Sequence, residues 1–65
     1  MHYNTIAKIT SLSPTKREVE VRTNSGATYK VRVPWHKLQD GFFKVGDDIT
    51  VKVVEQDQFA YYVYP

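Results

Sequence analysis

Residues 18–33, EVEVRTNSGATYKVRV, constrain this chain more than any other stretch. Val19 and Val21 alternate with Glu18, Glu20 and Arg22, while Tyr29, Val31 and Val33 alternate with Thr28, Lys30 and Arg32. A period of two describes a strand with one buried face and one wet face. The two runs need a turn between them, and parity fixes its length. With a three-residue loop, Asn24-Ser25-Gly26, Val21 faces Tyr29 and Val19 faces Val31, so both apolar sets share a side. A two-residue loop sets Val21 against Lys30, a slip that sends every side chain to the wrong face. Three-residue hairpin loops place a glycine in the left-handed region after a type I turn, and Gly26 stands there. The same register sets Glu20 opposite Lys30 and Glu18 opposite Arg32.

The rest of the chain reads as strands and turns around this hairpin. Residues 3–12 form a first strand, with Ala7 and Ile9 on one face and Lys8 and Thr10 on the other. Ile6 falls on the Lys8 side, which implies an exposed position or a bent strand. Ser13-Pro14-Thr15-Lys16-Arg17 is a turn, since Pro14 cannot donate to a ladder. After Pro34, WHKLQDGFF is too short for an ordinary helix but suits one helical turn. Trp35 and Leu38 then share a face, and Gly41 supplies a left-handed stop. Trp35, Phe42 and Phe43 are expected as core and lid at a barrel end. Val45-Gly46-Asp47-Asp48 launches a fourth strand, in which Ile49, Val51 and Val53 alternate with Thr50, Lys52 and Val54. Residues 55–58 make a polar turn into a last strand, residues 59–64. That strand is aromatic on both faces, Phe59, Tyr61 and Val63 against Ala60, Tyr62 and Tyr64, and only one set can face the core.

Five short strands with close turn signals predict a closed barrel, because an open sheet this small leaves its edges unpaired. The expected class is all-β, ordered β-β-β-short helix-β-β, as one domain over residues 1–65. Its expected core is Ala7, Ile9, Leu12, Val19, Val21, Tyr29, Val31, Val33, Leu38, Val45, Ile49, Val51 and Val53, with one face of residues 59–64. That order resembles the OB-fold. AKITSLSP is similar to the first strand of S1-type domains and of bacterial translation initiation factor 1. REVEVRTNSGATYKVRVP resembles their second and third strands, and FKVGDDITVKVV their fourth. Ala7 stands where that family usually has glycine, and residues 55–58 are acidic where an RNA-binding member is more often basic. Alternating valines and a Gly-Asp turn also occur in SH3-like barrels of the KOW and TOBE kinds, so an SH3-like barrel is the alternative.

Composition narrows function mainly by exclusion. A chain of 65 residues buries only about 60% of its unfolded surface, so it has one small core and little room for a deep pocket. Without cysteine there is no disulfide and no thiolate metal site. No apolar run approaches the roughly 20 residues that span a bilayer. The opening MHYNTIAK lacks the basic start and apolar centre of a secretory leader, so a soluble, cytoplasmic protein with no membrane partner is expected. His2 and His36 have no cysteine partner, and neither they nor the scattered carboxylates show metal-ligand spacing. Asp47 and Asp48 are adjacent and read as turn residues. No phosphate-cradling glycine loop is present. The reading is a non-enzyme without metal or cofactor.

Charge adds only modest weight to nucleic-acid binding, because a basic first half that attracts phosphate is followed by an acidic half that repels it. Residues 1–37 carry seven Lys/Arg against two acids, and residues 38–65 carry two against five. The resemblance implies that strands two and three, with their flanking loops, meet RNA or single-stranded DNA. On that face and near it lie Lys8, Lys16, Arg17, Arg22, Lys30, Arg32 and Lys37 as phosphate contacts. Trp35, His36 or a tyrosine of the last strand would be the stacking platform. The Glu–Lys and Glu–Arg oppositions of the hairpin carry a competing, purely structural reading of its charges. A second function class is a protein-binding regulator that docks through exposed aromatics of the last strand, either Tyr62 and Tyr64 or Phe59 and Tyr61. The bland alternative packs these rings under residues 1–3.

Overall fold

Alternation in the sequence becomes five strands closed into a barrel. The computed structural model describes residues 2–64. The strands are β1 (His2–Ser13), β2 (Glu18–Thr23), β3 (Thr28–Arg32), β4 (Asp48–Val54) and β5 (Phe59–Tyr62). A 3-10 turn (Pro14–Lys16) joins β1 to β2, and the short helix α1 (Trp35–Gln39) lies between β3 and β4. Around the barrel the order is β1-β2-β3-β5-β4, with β4 returning to β1. Every pairing is antiparallel except β3 with β5. Because β5 is inserted between β3 and β4 and does not close on β1, the order is OB-like and not an SH3-like meander. No helix among the described residues is long and apolar enough to cross a membrane.

The hairpin has the register that parity demands. Val19 pairs with Val31, Val21 with Tyr29, Glu20 with Lys30 and Glu18 with Arg32. Thr23 closes the loop: its N–H donates to the Ala27 carbonyl (2.9 Å), and its own carbonyl accepts from Gly26 N–H (3.0 Å). Its buried hydroxyl shares a hydrogen bond with Ser25 Oγ (2.8 Å). Gly26 has φ of +88°, the left-handed value that an L side chain rarely adopts.

The first strand is longer than the sequence suggests, and it is bulged. Ile9 pairs with Val21 and Ser11 with Glu20, so Thr10 is the extra residue. The bulge resolves a parity conflict. Ile9 and Leu12 are three apart, yet both contact the core, which a regular strand would forbid. Thr10 Oγ1 donates to the Glu20 carbonyl (3.3 Å) and closes part of the gap. Ile6 lies outside, as its parity implied, at 59% exposed.

The interior is Ala7, Ile9, Val19, Val21, Val31, Val33, Val51 and Val53, with Phe43 and Ala60. Leu12, Tyr29, Leu38, Ile49 and Tyr62 pack against this cluster half-buried. Three expectations need correction. Val45 is 62% exposed, because β4 starts only at Asp48 and Val45 belongs to the preceding loop. There Gly46, at φ +98°, donates to the Ile9 carbonyl and ties that loop to β1. Trp35 and Phe42 are about half exposed, not core. One turn of helix and the left-handed Gly41 (φ +73°) swing a single ring into the barrel end, that of Phe43, at 2% exposed. Finally, β5 stops at Tyr62, two residues short of the expected end. The small residue Ala60 decides its inner face, leaving Phe59 and Tyr61 outward.

Phe43 is therefore the plug, and its edge meets the Tyr62 ring at 5.2 Å between centroids. Phe43→Ala should cost about 3–5 kcal/mol, much of the ~3–10 kcal/mol expected for a domain of this size. Phe42→Ala should cost far less. Urea unfolding of the two variants checks the contrast.

Candidate functional site

Strand pairing gathers residues that sit far apart in the sequence. In the parallel seam Lys30 lies beside Phe59 and Arg32 beside Tyr61. On the other side of β5, Lys52 lies beside Tyr61. Val31, Ala60, Val51 and Val53 point into the core, so their neighbours along each strand share the outer wall. The result is a cation–aromatic–cation row, Arg32–Tyr61–Lys52, with Lys30 and Phe59 in the next row.

Local bonds hold this wall in place. Asp57 Oδ1 accepts from Phe59 N–H (3.1 Å), and Asp57 Oδ2 accepts from the Tyr61 hydroxyl (3.4 Å). The Lys30 N–H donates to the Gln58 carbonyl (3.1 Å), fastening the β4–β5 turn to β3. The Arg32 guanidinium lies 4.8 Å from the centre of the Phe59 ring, a cation–π contact. Arg32, Phe59, Ala60 and Tyr61 line a shallow hollow of about 140 Å³. Next to it, Glu20, Thr28, Tyr29, Lys30, Asp57 and Gln58 line an open, polar depression of about 410 Å³.

The hairpin charges behave differently from their register. Glu20–Lys30 and Glu18–Arg32 face each other across the ladder, but neither closes into a salt bridge. Arg32 turns to Phe59 instead. Among the described residues the ion pair that forms is Lys8–Asp48, at 3.8 Å with both side chains well exposed. An exposed pair of this kind contributes about 0–1 kcal/mol. Lys8 also stands directly opposite Arg22, a like-charge pair that disfavours the ladder unless an anion lies over it.

The sequence-predicted residues therefore separate into four places. Lys30 and Arg32 join Phe59 and Tyr61, uniting the expected nucleic-acid set with the expected protein-binding set. Lys8 and Arg22 lie on the β1–β2 wall. The 3-10 turn that carries Lys16 contacts α1, which carries Trp35 and His36, and Val33 N–H, just before α1, donates to the Arg17 carbonyl. Lys37 is engaged by two rings, 4.3 Å from the Phe42 centroid and 4.9 Å from that of Tyr64. Tyr62 is half-buried against Phe43 and Tyr64 and is not a free docking ring. Tyr3 stands beside Tyr29 rather than over the last strand, and Met1 lies outside the described residues. Sequence reasoning missed Lys52. Its wet-face parity was visible, but its place beside Tyr61 required knowing that β4 pairs with β5.

Among the described residues no cluster of three or more His, Asp or Glu side chains is placed to hold a metal ion. One titratable group on the depression is perturbed. Burial first, then the Tyr3 hydroxyl and the Glu55 carboxylate, hold the Tyr29 phenol above its ordinary value of 10.0. Folding thus favours the neutral phenol. Its contribution to stability is complete below about pH 10 and is lost as pH rises through the folded value. Tyr29→Phe should flatten the decline in stability above about pH 10, measured by urea unfolding of both proteins across that range. No family model matches the chain, and no curated protein matches it by sequence.

Proposed function

We propose that this barrel is a non-catalytic binder of single-stranded nucleic acid, RNA or DNA, and that it binds on the β3–β5–β4 wall. The observation that carries this reading is the row Arg32–Tyr61–Lys52 with Lys30 and Phe59 beside it. A single strand needs cations along its backbone and flat rings under its bases, and this wall supplies both. Phe59 and Tyr61 are two residues apart on one strand, about 6.6 Å. Stacked bases rise only about 3.4 Å, so each ring suits one base of a splayed strand rather than a continuous stack. Tyr61, 50% exposed and held by Asp57, is the principal platform. Lys30 and Lys52 meet phosphates, and Arg32 stiffens the Phe59 ring while presenting charge. The OB-like strand order and the likeness of three segments to S1-type domains and translation initiation factor 1 support the same reading. The loop cations Lys16 and Arg17, with Trp35, extend it at one end of the barrel.

Fluorescence anisotropy with labelled oligonucleotides of about ten nucleotides tests it. Binding should be detectable at ~50 mM salt and fall with salt at a slope near −2, since about three cations act at roughly −0.7 per phosphate on single strands. Tyr61→Ala should weaken binding by about 1–3 kcal/mol, whereas Arg22→Ala should change it little. Absence of binding at ~50 mM salt, where phosphate contacts are strongest, would overturn the reading. The exposed Tyr61, with the half-buried Phe59 beside it, also suits a protein hot spot. Partner binding that needs Tyr61 but is insensitive to salt and to oligonucleotide would favour that second reading.

A further inference from the structure

The β3–β5 seam starts late, and a depression is left beside its first pair. β3 begins at Thr28, but the first register pair of the seam is Lys30 with Phe59. Thr28 and Tyr29 therefore have no strand beside them on that side, and they line the open depression of about 410 Å³. Glu20 of β2 stands on one rim, and Asp57 and Gln58 of the β4–β5 turn stand on the other. Lys30 borders both the depression and the Phe59 row. The two carboxylates differ. Asp57 commits one oxygen to Phe59 N–H and the other to the Tyr61 hydroxyl. Glu20 faces Lys30 across the ladder, yet among the described residues its carboxylate makes neither a hydrogen bond nor an ion pair. An unpartnered carboxylate repels phosphate, so on a wall that takes nucleic acid its favourable partner is a base edge that offers N–H groups.

We propose that the depression is a guanine subsite and that Glu20 is its specificity-determining residue, an assignment that rests on the wall's reading as a single-strand binder. Splayed bases are read by hydrogen bonds to their edges. Guanine presents N1–H and N2–H side by side, which matches the two oxygens of one carboxylate. Cytosine and adenine present one amino group next to a ring-nitrogen lone pair, which repels the second oxygen. Uracil and thymine present a single N–H between two carbonyls. On its other edge guanine carries O6 and N7, both acceptors. A guanine lying over β3 with N1–H and N2–H toward Glu20 turns those acceptors toward the opposite rim, where Gln58 carries an amide donor. Lys30 stays available to the flanking phosphate, and the half-buried Tyr29 ring supplies the apolar part of the lining.

Anisotropy titrations of the full chain at ~50 mM salt, where phosphate contacts are strong, test the subsite. The probes are a labelled oligothymidine, the same strand with one central guanine, and the same strand with inosine in that place. The guanine probe should bind roughly tenfold tighter than oligothymidine, the discrimination of one bidentate contact. Inosine keeps N1–H, O6 and N7 but lacks the 2-amino group, so it should lose most of that gain. Glu20→Gln removes the charge at nearly constant shape from an exposed position. It should abolish the guanine preference while oligothymidine binds as before or more tightly, since a carboxylate that opposes phosphate is gone. Equal weakening of both probes by Glu20→Gln marks a structural role and overturns the subsite. Equal affinity for guanine and thymine probes, equal affinity for guanine and inosine, or a preference that survives Glu20→Gln also overturns it, and leaves the wall's binding standing. Absence of binding to every probe overturns the two together.

Discussion

Closure of the barrel rests on a short parallel seam. Only three register pairs, Lys30–Phe59, Val31–Ala60 and Arg32–Tyr61, join β3 to β5. Unlike the β2–β3 hairpin, the seam joins strands far apart in the chain, and the connection between them must pass through α1 and β4. Its small number of hydrogen bonds is supplemented by the Lys30–Gln58 backbone bond and by Ala60, whose methyl lets β5 lie flat against the Val31 and Val53 side chains. A larger residue at that point would push β5 outward. The seam also brings the most basic strand beside the most aromatic one, so fold closure and candidate site are consequences of the same pairing.

Where the sequence was legible, it was because two constraints agreed. The hairpin register follows from side-chain parity and from the conformational demand that Gly26 meets, and either alone would have left alternatives. Where only one constraint operated, the reading stayed open or failed. Residues 59–64 carry apolar groups on both faces, so periodicity could not choose between them, and the choice fell to the volume of Ala60. Phe42 and Phe43 are neighbours of equal hydrophobicity. Which of them enters the barrel depends on the turn at Gly41, a three-dimensional fact with no signature in composition. The bulge at Thr10 was recoverable in principle, since Ile9 and Leu12 cannot share a face of a regular strand.

Opposed charge in a ladder is weaker information than opposed shape. Valines facing across β2 and β3 are locked by burial, whereas glutamate and lysine facing each other in water keep long, mobile side chains with other options. Arg32 takes such an option in the Phe59 ring, and Lys37 does likewise between Phe42 and Tyr64. Aromatic rings thus compete successfully with carboxylates for the cations of this small barrel. A basic patch on such a protein cannot be mapped by counting charges along strands.

The bulge at Thr10 gives β1 two reading frames. Before it, odd-numbered residues face the core; after it, Leu12 does. Length is consequently unequal in value along the strand. Removal of one residue at Thr10 would leave Ile9 and Leu12 two apart and still inward, at the expense of curvature. The same removal anywhere from Thr5 to Ile9 would invert one half of the strand against β4 or β2. The stretch between Ile9 and Leu12 is where β1 can lose one residue without changing its sides.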